Sequence, residues 1–163
     1  MVAMSQKILN ILAQVPDPEV PVLSVLDLGI IRDVVEFGDH KIEIIITPTY
    51  TGCPAMDAIA TNIRIEMAAH GYGQVKITTA LSPAWTTDWM SEEGKQKLKS
   101  YGIAPPLPKQ QTCRSELFSE EAVPCPHCNS YHTNRISEFG STACKALYHC
   151  QDCKEPFDYF KCH

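Results

Sequence analysis

Several things are scarce in this sequence, and each absence removes a class of protein. No apolar run approaches the ~20 residues that span a membrane. The start, Met1-Val2-Ala3-Met4-Ser5-Gln6-Lys7, has neither the basic nor the continuous apolar region of a signal peptide. The expectation is a cytoplasmic protein with no membrane partner. Basic charge is also short: 14 Lys and Arg stand against 19 Asp and Glu, for a net charge of −5. Nucleic-acid affinity comes largely from clustered Lys and Arg, so no nucleic-acid partner is expected. The sequence shows no Glu-x-x-His pair on long helical patterns, as a diiron carboxylate bundle requires, and no Gly-rich dinucleotide loop. Internal repeats and low-complexity tracts are absent too.

Cysteine, by contrast, is plentiful, with 8 in 163 residues. Disulfides seldom persist in a reducing cytoplasm, so these side chains read as metal ligands or reactive thiols. About 100 residues are enough to bury a core, whereas about forty need a metal or a covalent staple.

Ser5 is placed to cap a first helix whose apolar face is Ile8, Leu9, Ile11, Leu12 and Val15, interrupted at Pro16 and Pro18. Residues 30–37 and 41–47 read as a hairpin about Gly38-Asp39-His40, with alternation clearest in Lys41-Ile42-Glu43-Ile44. A helical pattern from Ala55 to about Ala69 puts Met56, Ile59, Ile63 and Met67 on one side and closes at Gly71. Residues 75–81 make a third strand, parallel to the second because a helix crosses over between them. Ser91-Glu92-Glu93 then caps a short helix ending near Tyr101-Gly102. The order is α-β-β-α-β-α, a small α+β domain with a three-stranded sheet over residues 1–104. Pro105, Pro106 and Pro108 open a semi-rigid linker over 105–120, and a second domain occupies 121–163.

In that second domain, Cys125-Pro126-His127-Cys128 and Cys150-Gln151-Asp152-Cys153 are two C-x2-C knuckles with 21 residues between them. Two hairpin turns at this spacing supply four thiolates to one tetrahedral ion, typically a structural zinc. Residues 133–139, 145–149 and 155–160 can form strands around it. His127, His132, His149 and His163 are spare donors that read as surface or supporting groups. A site closed by four thiolates has no open coordination position, so its role is structural.

Cys53 follows Gly52 and precedes Pro54 at the start of the second helix, where free backbone N–H groups and the macrodipole favour an anion. It suits a soft-metal ligand or a nucleophile; the alternative is a buried, inert thiol. Asp17, Glu19 and Asp27 fall in loops that could approach Cys53 and orient a cluster, or simply shape their turns. Cys113, Cys144 and Cys162 remain, and with Cys53 they make four spare thiols, the number that completes an iron–sulfur cluster. Trp85 and Trp89 would share a face if their segment were helical, as anchors of a binding surface, or else pack in the core.

Asp17-Pro18-Glu19, Asp27-Leu28-Gly29 and Thr51-Gly52-Cys53-Pro54 together resemble the small domain found in SufT and in targeting factors of cytosolic iron–sulfur assembly. A fuller resemblance, to the PaaD family of D components encoded with bacterial phenylacetyl-CoA epoxidases, rests on the blocks 83–90, 101–103, 139–146 and 155–162 besides the knuckles. The resemblance implies a non-catalytic helper in aerobic phenylacetate degradation whose partners are the oxygenase and reductase components, with a homodimer as a further candidate assembly. Structural zinc is its expected resident cofactor. An iron–sulfur cluster, bound or in transit, would be handled by Cys53 with the help of Cys113, Cys144 or Cys162. The alternative is a structural subunit of the oxygenase that docks through its ribbon.

Overall fold

The computed structural model describes residues 5–38, 41–107 and 123–161. The chain forms two compact units, Met1–Gly94 and Lys95–His163. In the first, α1 (Gln6–Leu12) precedes the antiparallel pair β1 (Ile31–Gly38) and β2 (Lys41–Ile46); α2 (Ala55–Ala69) then crosses to β3 (Gln74–Thr79). Sheet order is β1-β2-β3, with β2 and β3 parallel and in register from Lys41↔Gln74 to Ile46↔Thr79. A 3-10 turn, Thr87–Trp89, leads to α3 (Glu92–Ser100), which begins in the first unit and ends in the second. This is the expected α-β-β-α-β-α order.

Alternation in the sequence becomes alternation in burial. Ile42, Ile44 and Ile46 of β2 are buried, as are Ile59, Ile63 and Met67 of α2 and Ile8, Ile11 and Leu12 of α1. On the other face of the sheet, Glu43 takes the Lys76 ammonium at 2.8 Å and the Thr78 hydroxyl at 2.5 Å. Those two donors hold its carboxyl below the usual range, the Lys76 hydrogen bond most of all.

Helix ends follow local chemistry. α2 ends in a Schellman motif: Gly71 has φ +92°, its N–H bonds to the Ala68 carbonyl, and the Tyr72 N–H bonds to Met67 at 3.0 Å. Ser91 Oγ accepts from the Gly94 N–H at 2.9 Å and so caps α3, whose first turn carries Glu92 and Glu93 and whose last carries Lys97 and Lys99. Ser5 stands at the N-cap of α1 but makes no side-chain capping bond.

The second unit is a four-stranded sheet of order β4-β7-β6-β5, made of β4 (Ile103–Ala104), β5 (Thr133–Ser137), β6 (Lys145–Cys150) and β7 (Pro156–Phe160). The β4–β7 pairing, Ile103↔Asp158 and Ala104↔Tyr159, is not suggested by the sequence, because two residues carry no period. Ala104, Val123, Cys125, Ala146, Tyr148, Cys150, Phe157 and Tyr159 make a small buried cluster. Tyr148 stacks on Phe157 at 5.8 Å between ring centres and meets Tyr159 edge-on at 5.6 Å. The core is slight, and its two buried cysteines belong to the knuckles.

Trp85 and Trp89 do not share a helical face. Trp85 lies in extended chain before the 3-10 turn, is buried, and donates its indole N–H to the Leu28 carbonyl at 2.9 Å. Trp89 is half-buried with the Arg32 guanidinium 3.6 Å from its ring centre. Buried Trp85 is a core residue, not half of an exposed anchor pair.

Candidate metal centre and candidate thiol

Two matched turns build the metal centre. In the first, the Asn129 N–H bonds to the Cys125 carbonyl at 2.8 Å and the Cys125 N–H to the Ser130 carbonyl at 2.9 Å. In the second, Lys154 N–H bonds to Cys150 at 3.1 Å and Cys150 N–H to Glu155 at 3.0 Å. Asn129 (φ +61°) and Lys154 (φ +65°) each follow the second cysteine of a knuckle in the left-handed region. That reversal turns both sulfurs of a knuckle to one side. Neither position is glycine, so the sequence gives no sign of it; asparagine tolerates this conformation and lysine seldom adopts it.

The four Sγ atoms of Cys125, Cys128, Cys150 and Cys153 lie within 4.8 Å of one another. Cys125 and Cys153 sulfurs are 3.7 Å apart, and those of Cys128 and Cys150 3.5 Å. A tetrahedral ion with bonds of about 2.3 Å to sulfur requires sulfurs about 3.8 Å apart. Backbone N–H groups aim at the sulfurs as well: Cys150 accepts from Cys153 and Asp152, Cys128 from Ser130, and Cys153 from Glu155. The donor set and its spacing fit one four-coordinate soft cation.

Protonation is uneven across the four sulfurs. The Cys153 N–H bond, with help from Asp152 and Cys128, outweighs burial and brings the Cys150 thiol down to about 7. Cys153 keeps the Glu155 N–H bond, but burial and its three thiol neighbours outweigh it and push it up to about 12. Cys128 is raised too: its Ser130 N–H bond is overcome by burial and by Cys150 and Cys125. Without a positive ion, one sulfur ionises at its neighbours' expense.

Around the knuckles, Asp152 accepts from Ser130 Oγ and lies 3.3 Å from His132 Nδ1, which together hold its carboxyl below the usual range. His149 donates from Nε2 to the Lys154 carbonyl at 3.1 Å and accepts from Gln151 at Nδ1 at 3.1 Å. Both bonds brace the second knuckle. His163 lies outside the described residues.

Cys53 is half-buried in the turn before α2, its N–H bonded to the Tyr50 carbonyl at 3.2 Å and its carbonyl taking the Met56 N–H at 3.3 Å. Gly52 (φ +81°) makes the turn, and Pro54 is the N-cap. Asp17 is buried, and its Oδ1 accepts from the Glu19 and Val20 N–H groups at 2.9 and 2.6 Å, closing its own loop. Asp27, also buried, accepts at Oδ2 from the Ser24 N–H and hydroxyl at 2.9 and 2.8 Å and at Oδ1 from the Ser91 hydroxyl at 3.1 Å. Cys144 is buried in the ribbon, 3.0 Å from Thr142 Oγ1. Cys113 and Cys162 lie outside the described residues. Among the described residues, the four knuckle cysteines are the one group of three or more metal-ligating side chains that converges.

Comparison with known proteins gives these two units their class. Residues 5–81 match the family described as iron–sulfur cluster assembly protein, and residues 109–161 match the PaaD zinc beta ribbon domain. A Bacillus anthracis structure of a domain of unknown function, DUF59, has a similar fold, with a TM-score of 0.53 and 24% identity over 56% of this chain and 88% of its own. An Fe-S protein maturation auxiliary factor of Porphyromonas gingivalis strain W83 is 37% identical over 57% of this chain and 89% of its own length. The chain is thus an assembly-type α+β domain joined to a zinc-ribbon domain.

An Escherichia coli K12 protein, provisionally named as the D component of a 1,2-phenylacetyl-CoA epoxidase, is 51% identical over 93% of this chain and 89% of its own length. The chain belongs to that family of epoxidase D components.

Proposed function

We propose that this chain is an accessory protein of a cytoplasmic phenylacetyl-CoA epoxidase, aiding assembly of an iron–sulfur or other metal cofactor of the complex and performing no catalysis itself. The observation that carries the reading is the joining, in one chain of the D-component family, of an assembly-type domain to a ribbon with four converging cysteines. Zinc is the resident ion, held by Cys125, Cys128, Cys150 and Cys153: four thiolates around a redox-inert cation staple a core too small to fold alone. The cluster or metal delivered to the oxygenase or reductase is cargo, and Cys53 is the thiol that meets it. Its place supports this: it is half-buried in the turn just before a helix of 15 residues rather than sealed in the core.

The test is to make the oxygenase and reductase components with and without this chain, purify them without oxygen, and assay iron, sulfide and activity. Components made without it should emerge under-loaded and weakly active. Fully loaded, active components would overturn the proposal.

A structural subunit that docks through its ribbon is the second reading. It is favoured by three large apolar side chains left more than half exposed there, Tyr131, Ile136 and Phe139. A stoichiometric complex that tolerates Cys53→Ser but not Ile136→Asp would select it.

A further inference from the structure

The four knuckle cysteines do not meet solvent equally. Cys125 and Cys150 are fully buried and Cys153 is half-buried, whereas Cys128 is exposed. Cys128 Sγ lies 3.5 Å from Cys150 Sγ, and each sulfur takes the N–H of the residue two places on, Ser130 for Cys128 and Asp152 for Cys150. Those two residues are themselves joined, because the Ser130 hydroxyl donates to Asp152 Oδ2. The exposed edge of the metal centre is therefore closed by a ring that runs from sulfur through amide and side chain to side chain, amide and sulfur.

His132 reinforces the ring. It donates its N–H to Ser130 Oγ at 3.0 Å, places Nδ1 3.3 Å from Asp152 Oδ1, and takes the Gln151 N–H on its carbonyl at 2.7 Å. The segment that leaves the first knuckle, residues 130–132, thus grips the inside of the second, residues 151–152. As an ion pair the His132–Asp152 contact is worth little, since both side chains are more than half exposed and solvent screens them. What the cluster does is positional. It holds the two amides that face Cys128 and Cys150, and outer partners that orient metal ligands commonly change metal affinity by about 10–100-fold.

We propose that Ser130, His132 and Asp152 form a clasp between the two knuckles that guards the exposed Cys128 corner and sets how fast zinc leaves the site, while supplying no ligand. The inference rests on reading the four cysteines as a zinc site. With the clasp closed, Cys128 swings outward only by pulling Ser130 from Asp152. With it open, Cys128 is the first sulfur to let go, because it is the one that water and a competing ligand reach. The three residues are positioning residues, acting on the ion through the backbone of the knuckles.

The full chain, loaded with zinc, is mixed with an excess of a chromophoric chelator and release is followed by absorbance. Asp152→Ala and Ser130→Ala should each speed release about tenfold, and the double change no more than either alone, because both break the same bond. Asp152→Asn keeps an acceptor for the Ser130 hydroxyl and should recover most of the slow rate. Arg135→Ala breaks a similarly exposed pair, 3.0 Å to Glu138, that touches neither knuckle, and should leave the rate unchanged. The cobalt-substituted chain reports the ligand set, and its sulfur-to-metal absorption should be the same in every variant. Release from Asp152→Ala no faster than from Arg135→Ala would overturn the clasp. So would effects of Ser130→Ala and Asp152→Ala that multiply independently, release from Asp152→Asn as fast as from Asp152→Ala, or loss of sulfur absorption in the variants. An unaltered chain that holds no zinc would overturn the reading of the site and the clasp with it, which tells the two failures apart.

Discussion

Gly29 sits so tightly against Trp89 that a Cβ built on it would stand 2.0 Å from the Trp89 carbonyl oxygen. Gly29 also has φ +68°, so a side chain there meets both a steric wall and an unfavourable backbone. The neighbours in the same motif point the same way: the Leu28 carbonyl takes the Trp85 indole, and the Asp27 carbonyl takes the Ser91 N–H at 2.9 Å. Asp27-Leu28-Gly29 is therefore the clasp for residues 85–91, a stretch beyond the end of the assembly-family match at residue 81. Gly29→Ala should destabilise the first unit by about 3 kcal/mol or more. Gly73→Ala, which meets nothing within 4 Å, should cost under about 0.5 kcal/mol. Urea unfolding followed by Trp fluorescence separates the two.

Asp27 divides a structural from a cofactor role in the same clasp. Its carboxylate satisfies the Ser24 N–H and the hydroxyls of Ser24 and Ser91. Asp27→Ala leaves these donors without their acceptor and should cost about 2 kcal/mol or more, while metal loading of client per folded molecule stays unchanged. A stable variant that fails to load client would make Asp27 a participant in delivery.

The parts legible in the sequence were those fixed by local spacing. C-x2-C sets a turn by itself, and the isoleucines of β2 and α2 announce their faces by period. Unread were features made by chain reversal and by pairing at a distance: the left-handed Asn129 and Lys154, the short β4 against β7, and the capture of Trp85 by Leu28. A tryptophan pair four residues apart suggests one helical face, yet the hydrogen bond available to a buried indole decided where Trp85 went. For Asp17 and Asp27 the sequence favours closing a turn over orienting a cluster. In the fold the Asp17 carboxylate takes up two nearby N–H groups, and that of Asp27 one N–H and two hydroxyls.

Removing metal should unfold the ribbon and spare the rest. Because the buried cluster of the second unit includes Cys125 and Cys150, a strong chelator or Cys125→Ser should abolish the Tyr148–Phe157–Tyr159 packing. Near-ultraviolet dichroism of tyrosine should fall, while Trp85 and Trp89 in the first unit keep their signals. Loss of both signals together would mean that the units do not fold independently.

Metal affinity should depend steeply on pH. At neutral pH Cys153, raised to about 12, and Cys128, also raised, hold protons that must leave when four thiolates bind, whereas Cys150, lowered to about 7, is half ionised already. Apparent zinc affinity should fall by about two decades or more per unit as pH drops below 7. In the small fraction of metal-free ribbon that is folded the signs differ. The contribution of Cys150 is present above the ordinary thiol value and is lost as pH falls through about 7. That of Cys153 is present below the ordinary value and is lost as pH rises through about 12. Competition titration with a chromophoric chelator across pH measures the first effect, and a flat profile would mean that the thiols are not the ligands.

Cys53→Ser separates the two readings of the chain. The sulfur is half-buried in a turn held by backbone bonds from Tyr50 to Cys53 and from Cys53 to Met56, none of which uses the side chain. Serine keeps that turn and its small volume, so stability should change by less than about 1 kcal/mol and zinc content not at all. Oxygen is a poor soft-metal ligand beside sulfur, so iron and sulfide delivered to the epoxidase components should fall at least about tenfold. If loading survives the change while the chain still co-purifies with its partners, Cys53 is an inert filler and the protein serves by docking.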